Sequence, residues 1–199
     1  SYTFTDNNAW SMLTLMPGTK LYGGFNGDEN PAAFNKDDRD LFTNKTILDA
    51  KDQARFIDQI TDFDNDKKGV IDGFTIKNGN AEAVYTKRIP SSVTSFPDEY
   101  VGGAIRLKDN VTVTNCDIYN NVSDEGGAIY ANNRNEDKNI SISYCKIHDN
   151  YAHDIGGALS IHRDYLWMET PQDSIINCEI SNNKSDRFGG MDISMMRVI

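Results

Sequence analysis

Four groups of residues have the types and spacing to do chemistry. The stretch TDFDNDKKGVID sets Asp62, Asp64 and Asp66 at alternate positions ahead of Gly69. That is the opening of an oxygen-ligand Ca²⁺ loop. Lys67 stands where such a loop wants its turn glycine, and no Glu arrives at the twelfth place. The expectation is a solvated acidic turn with weak Ca²⁺ binding at most. His148, His153 and His162 lie close together with Asp149 and Asp154 beside them, the ingredients of a general acid–base pair. No Gly-x-Ser-x-Gly elbow or HExxH accompanies them, and exposed, unconnected histidines are expected: His148 outward on a strand, His153 in a corner, His162 on another strand. The third group is HRDYLWMETPQD after Ile161. It carries Tyr165 and Trp167 beside Arg163, Asp164 and Glu169, rings flanked by hydrogen-bonding groups as sugar recognition requires. The alternative is that Leu166, Trp167 and Met168 fold back over the flank of the protein. Cys116, Cys145 and Cys178 form the fourth group; their spacing fits neither a zinc site nor a CxxC pair.

The cysteines lead to the elements that must position everything else. Each occupies the same place in a recurring phrase: VTVTNCDIYNN, ISISYCKIHDN and SIINCEISNN, with VIDGFTIKNGN as an earlier relative holding Phe74 there. A second phrase alternates with the first: VGGAIRL, EGGAIYA, IGGALSI and FGGMDIS, with Gly103, Gly127, Gly157 and Gly189 in register. The shortest step is 24 residues, and longer steps absorb insertions between marker Gly and Cys. Ile47 and Ile71, also 24 apart, extend the beat toward the N-terminus, and Ile71 to Val113 is one unit plus an insertion.

Such a period signifies a solenoid. Within each unit Ile105/Leu107, Val111/Val113 and Ile140/Ile142 alternate with polar residues, as half-buried strands do. The parity slips by one before each Cys, which marks a bend and a new strand. The expected fold is therefore all-β: a single-stranded right-handed parallel β-helix of about 24 residues per coil, filling residues 1–199 as one domain. Each coil has three short strands. Ile105, Ile129, Leu159 and Met191 stack in one inward column; Phe74, Cys116, Cys145 and Cys178 stack in another as free thiols. Paired glycines supply a positive-φ corner and close approach of coils. Paired Asn residues suit an αL corner and a side-chain hydrogen-bond ladder.

The Gly-Gly-Ala-[Ile/Leu] phrase with its strand and Asn-rich corner resembles the repeats of chlamydial polymorphic outer-membrane proteins. The text from Met16 to Ala81 (MPGTKLYGGFNGDE, TNKTILDAKD, GVIDGFTIKNGNA) resembles the opening of bacterial β-helix surface proteins in the pectate-lyase-like superfamily. The resemblance implies a secreted or cell-surface bacterial protein, adhesin-like, and brings in relatives that cleave acidic polysaccharides with Ca²⁺ held on outward carboxylates. The outward columns here read Thr75, Asp117, Lys146, Glu179, then Lys77, Tyr119, His148, Ser181, and on the glycine strand Arg106, Tyr130, Ser160, Asp192. They are mixed in sign, so no acidic nest is expected on them.

With 20 basic and 30 acidic residues the formal charge is −10, which speaks against nucleic acid or an anionic membrane as partner. No apolar run reaches the ~20 residues of a spanning helix. The five Asn-x-Ser/Thr sequons, at Asn44, Asn110, Asn121, Asn139 and Asn183, read as by-products of the repeat. The leading expectation is a non-catalytic surface protein that contacts a polysaccharide, a cell-surface glycan or a protein through Arg163, Tyr165 and Trp167, with Tyr130, Tyr119 and His148 as further contacts, and needs no cofactor. A Ca²⁺-dependent polysaccharide lyase (or glycoside hydrolase) and a structural stalk are the alternatives.

Overall fold

The computed structural model describes residues 11–30, 32–59, 67–82, 100–108, 110–133, 139–163 and 173–193. Parallel strands stack in ladders, and one 3-10 turn at Lys36–Asp38 is the sole helical element among them. The glycine-phrase sheet runs β1 (Ser11–Leu15), β4 (Arg55–Gln59), β7 (Ile105–Leu107), β11 (Ile129–Asn133), β15 (Leu159–Arg163), β19 (Met191–Ile193). The second sheet runs β2 (Lys20–Tyr22), β5 (Gly69–Asp72), β8 (Val111–Thr114), β12 (Ile140–Ser143), β16 (Ser174–Ile176). The cysteine-phrase sheet runs β3 (Thr46–Asp49), β6 (Phe74–Lys77), β9 (Asp117–Tyr119), β13 (Lys146–His148), β17 (Glu179–Ser181). A short corner ladder holds β10 (Val122–Glu125), β14 (Tyr151–Ile155) and β18 (Lys184–Ser185). The fold is a parallel β-helix.

Register makes the columns. Ile57, Ile105, Ile129, Leu159 and Met191 face one another in turn, as do Ile76, Ile118, Ile147 and Ile180. All but the last member of each column are fully buried, in one continuous core with Ile71, Val113 and Ile142. Burying each such side chain contributes about 1.5–3 kcal/mol before entropy is counted. Phe74, Cys116 and Cys145 stack inward beside them, and Cys178 is half-buried at the end of the file. Each thiol donates to the carbonyl two residues before it, Cys145 to Ser143 at 3.2 Å, so the cysteines act as small polar-tipped fillers. Interaction of each thiol with the sulfur of the preceding coil, and burial after it, pushes Cys145 and Cys178 far up.

The parity slip before each Cys has a local cause. Asn115, Tyr144 and Asn177 sit at φ of 52°, 53° and 52°, so the chain turns through αL there and the alternation restarts one residue late. Asn120, Asp149 and Asn182 turn the next corner the same way, at 54°, 54° and 56°. The residue after each is an inward Asn. Asn121 donates from its backbone N and its Nδ2 to Asn150 Oδ1 at 3.0 and 2.8 Å, and Asn150 treats Asn183 likewise at 3.0 and 2.9 Å. The two glycines divide their labour: Gly126 takes φ 61°, and a Cβ on Gly127 would lie 2.1 Å from the Gly157 carbonyl oxygen of the next coil.

Two expectations need correction. Ile47 does not stack on Ile71. It faces Thr75, while Ile71 lies between Leu21 and Val113. Ile47 points outward and is 49% exposed, whereas Leu48 faces Ile76 in the core file. The 24-residue interval there is coincidental, because residues 23–45 are themselves an insertion between β2 and β3. The coil also has a fourth strand. Its inward residues are Ser123 and Ala152, too small and polar to register as hydrophobic alternation.

Candidate functional site

The three histidines occupy one coil and three different faces of it, and none stands alone. On the cysteine-phrase sheet His148 stacks on Tyr119, with ring centroids 5.1 Å apart and planes at 16°. Its Nε2 lies 3.1 Å from Asp117 and its Nδ1 2.7 Å from Asp149. On the corner ladder His153 meets Tyr151 edge-on at 4.8 Å, with Nε2 3.1 Å from Glu82 Oε2 and Nδ1 4.0 Å from Asp186. On the glycine-phrase sheet His162 tilts against Tyr130 at 5.7 Å, accepts or donates to Ser160 Oγ at 2.8 Å, and lies 3.6 Å from both Glu125 and Asp192. The expectation of unconnected histidines is therefore overturned, and His153 is in β14 rather than in a corner. The parallel register explains most of the pattern, since a strand side chain two residues along, or one coil up or down, is within reach; Glu82 meets His153 across the intervening Asp124 coil.

Tyr119 and His148 spend one ring face on each other, because the stack runs along the solenoid axis. Tyr130 is buried although it points outward. Beside it Arg106 makes a two-pronged pair with Asp58 at 2.7 and 2.6 Å. Lys146 lies 3.5 Å from Glu179, and Lys77 3.5 Å from Asp49. The outward carboxylates of both sheets are thus engaged with cations or imidazoles on neighbouring strands.

The column that sequence reasoning missed lies on the corner ladder. Val122 faces Asn80 and Tyr151, and Ala152 faces Ser123 and Ser185. One or two residues further along each coil come Glu82, Asp124, His153 and Asp186, a file of titratable groups with one member per coil. Desolvation by burial is the first cause that raises the carboxyls of Glu82 and Asp124 above their ordinary range, and each stands two residues past the Asn80–Val122 bridge. The signal was present as Gly79-Asn-Ala-Glu82, Asn121-Val-Ser-Asp124, Asn150-Tyr-Ala-His153 and Asn183-Lys-Ser-Asp186, four residues aligned on the corner.

The remaining predicted residues belong to, or border, connections between the same two sheets. Arg163 closes β15 opposite Asn133 at the end of β11. The connections 60–66, 134–138 and 164–172 each join a glycine-phrase strand to the following strand of the second sheet, so the strands that flank them meet at the same corner of the coil. Asp62, Asp64, Asp66, Tyr165 and Trp167 belong to those connections and lie outside the described residues. Among the described residues no group of three His, Cys, Asp or Glu side chains is arranged to hold a metal, and no helix is long and apolar enough to cross a membrane.

Residues 115–132 match the Chlamydia polymorphic membrane protein repeat. The matched stretch runs from the αL bend at Asn115 through the Cys116 strand, the Asn121 corner and Gly126-Gly127 into β11, which is one complete passage from one phrase to the other. The searches of curated proteins and of solved structures gave no match. The 18 matched residues tie the coil to that type of repeat.

Proposed function

We propose that this chain is the β-helical part of a bacterial cell-surface protein, non-catalytic and adhesin-like, that meets a cell-surface glycan or protein through the segments inserted at one corner of the solenoid. The observation that carries the reading is the agreement between the repeat match at residues 115–132 and the coil geometry. A surface-protein repeat forms the scaffold, and several coils send inserted connections out of a common edge. Repeat proteins concentrate recognition on such edges because the stacked coils fix the spacing of the loops while leaving their sequences free. Arg163, Tyr165 and Trp167 supply the ring-and-polar-group composition that sugars and protein partners both use.

The test is a glycan array and a host-cell binding assay with wild type, with Trp167→Ala, and with residues 164–172 replaced by the short Lys108–Asn110 connection that serves the same corner two coils earlier. Binding that falls at least about tenfold in both variants, with unchanged thermal unfolding, supports the reading. Unchanged binding in both overturns the assignment to this corner. A loss of stability with Trp167→Ala at constant binding would make Trp167 a packing residue.

A further inference from the structure

Glu82, Asp124, His153 and Asp186 follow the Asn corner on four successive coils, and His153 reaches both Glu82 and Asp186 across the coils rather than along one strand. We propose that this file is a proton-operated clasp: protonated, it ties neighbouring coils of the corner ladder together, and ionised, it drives them apart.

The chemistry follows from the contacts. Glu82 and Asp124 stand two residues past the Asn80–Val122 bridge on adjacent coils; two carboxyls there can hydrogen-bond only while one keeps its proton, since two carboxylates offer acceptors alone. His153 Nε2 is 3.1 Å from Glu82 Oε2 and its Nδ1 is 4.0 Å from Asp186, so an imidazolium there bridges two more members of the file. The groups around it do not neutralise a fully ionised column. Glu125 follows Asp124 on β10 and faces His162 of the glycine-phrase sheet at 3.6 Å. Asp154 follows His153 on β14 and is paired with Arg187 beyond β18 at 3.2 Å. Asp186 accepts from the Tyr151 hydroxyl at 2.7 Å. Like charges opposite one another across parallel strands are destabilising, and these are partly removed from water.

The raised carboxyls of Glu82 and Asp124 set the sign. A carboxyl whose folded-state affinity for protons exceeds its unfolded one makes folding take up protons. The contribution is intact below the ordinary carboxylate range, about pH 4, and is lost as pH rises through the raised folded range.

Amide hydrogen exchange on the full chain tests this. After correction for intrinsic rates, protection of Val122–Glu125 and Tyr151–Ile155 should fall at least about tenfold between pH 4.5 and 7.5. Protection of Val111–Thr114 in the second sheet should stay level. Asp124→Asn keeps a hydrogen-bonding side chain without the charge and should hold the corner ladder protected at pH 7.5. His153→Gln should retain a fall with pH through the carboxyl pair. Equal wild-type protection at both pH values overturns the clasp. So does an Asp124→Asn variant that loses protection as wild type does, or a His153→Gln variant whose protection no longer depends on pH.

Discussion

Coils between Val111 and Ser185 turn their corners with the same residues each time, while those between Ser11 and Asp72 turn them with contacts used once. At the repeated corner Asn121, Asn150 and Asn183 pass a hydrogen bond from coil to coil, and each Nδ2 also ties back to its own strand, as Asn150 does to the His148 carbonyl at 2.9 Å. At the N-terminal end a different corner, the one ahead of β3 and β6, is braced by Arg39, which comes from the 23–45 insertion. Its guanidinium meets Asp72 Oδ2 at 2.6 Å and the Gly23 carbonyl at 2.8 Å, and it lies over the rings of Tyr22 and Phe25. Asp72 in turn accepts from Asn115 of the next coil at 2.9 Å. A repeated corner spreads its stabilisation over several equivalent small terms, whereas a unique corner concentrates it in one buried ion pair.

That contrast orders the expected effects. The Arg39–Asp72 pair is almost wholly buried, 5% and 8% exposed, so Arg39→Ala leaves a carboxylate in low dielectric and should cost about 3–5 kcal/mol in denaturant unfolding. A cost under about 1 kcal/mol would show that residues 23–45 are not anchored as described and would erase the distinction between the two ends. Asn150→Ala removes the middle of the amide ladder, and should cost about 2–3 kcal/mol because the Asn121 N–H loses its acceptor while the surrounding apolar columns stay intact. If Asn150→Ala proved the costlier of the two, the ladder would be the dominant brace rather than one of several.

The same contrast explains what could be read from the amino-acid order. The columns through Ile105 and Cys116 were legible because large apolar side chains recur at the period of the coil, and the αL bends announced themselves as a slip in parity. The corner ladder was not, since Ser123 and Ala152 fill its inward positions and small buried residues leave no alternating hydrophobic trace. Ile47 misled because an outward isoleucine happens to stand one period from an inward one. The linkage of each histidine to a tyrosine and two carboxylates was invisible for a different reason: most of the partners come from other coils, 29 to 71 residues away in sequence, and are recognisable only once the register is known. Tyr119 and His148 were correctly placed on one outward column, although the geometry sets their rings against each other.

Stacking of residues one coil apart is the claim on which the columns, the clasp and the common edge of inserted segments all stand. Backbone nuclear Overhauser contacts in a uniformly labelled sample measure it directly. The account predicts contacts linking Ile118 to Ile147 and Ile147 to Ile180, strands about 4.8 Å apart, and none between Ile118 and Ile180, which lie two coils apart. Contacts pairing Ile118 with a strand other than those of Ile76 and Ile147 would contradict it.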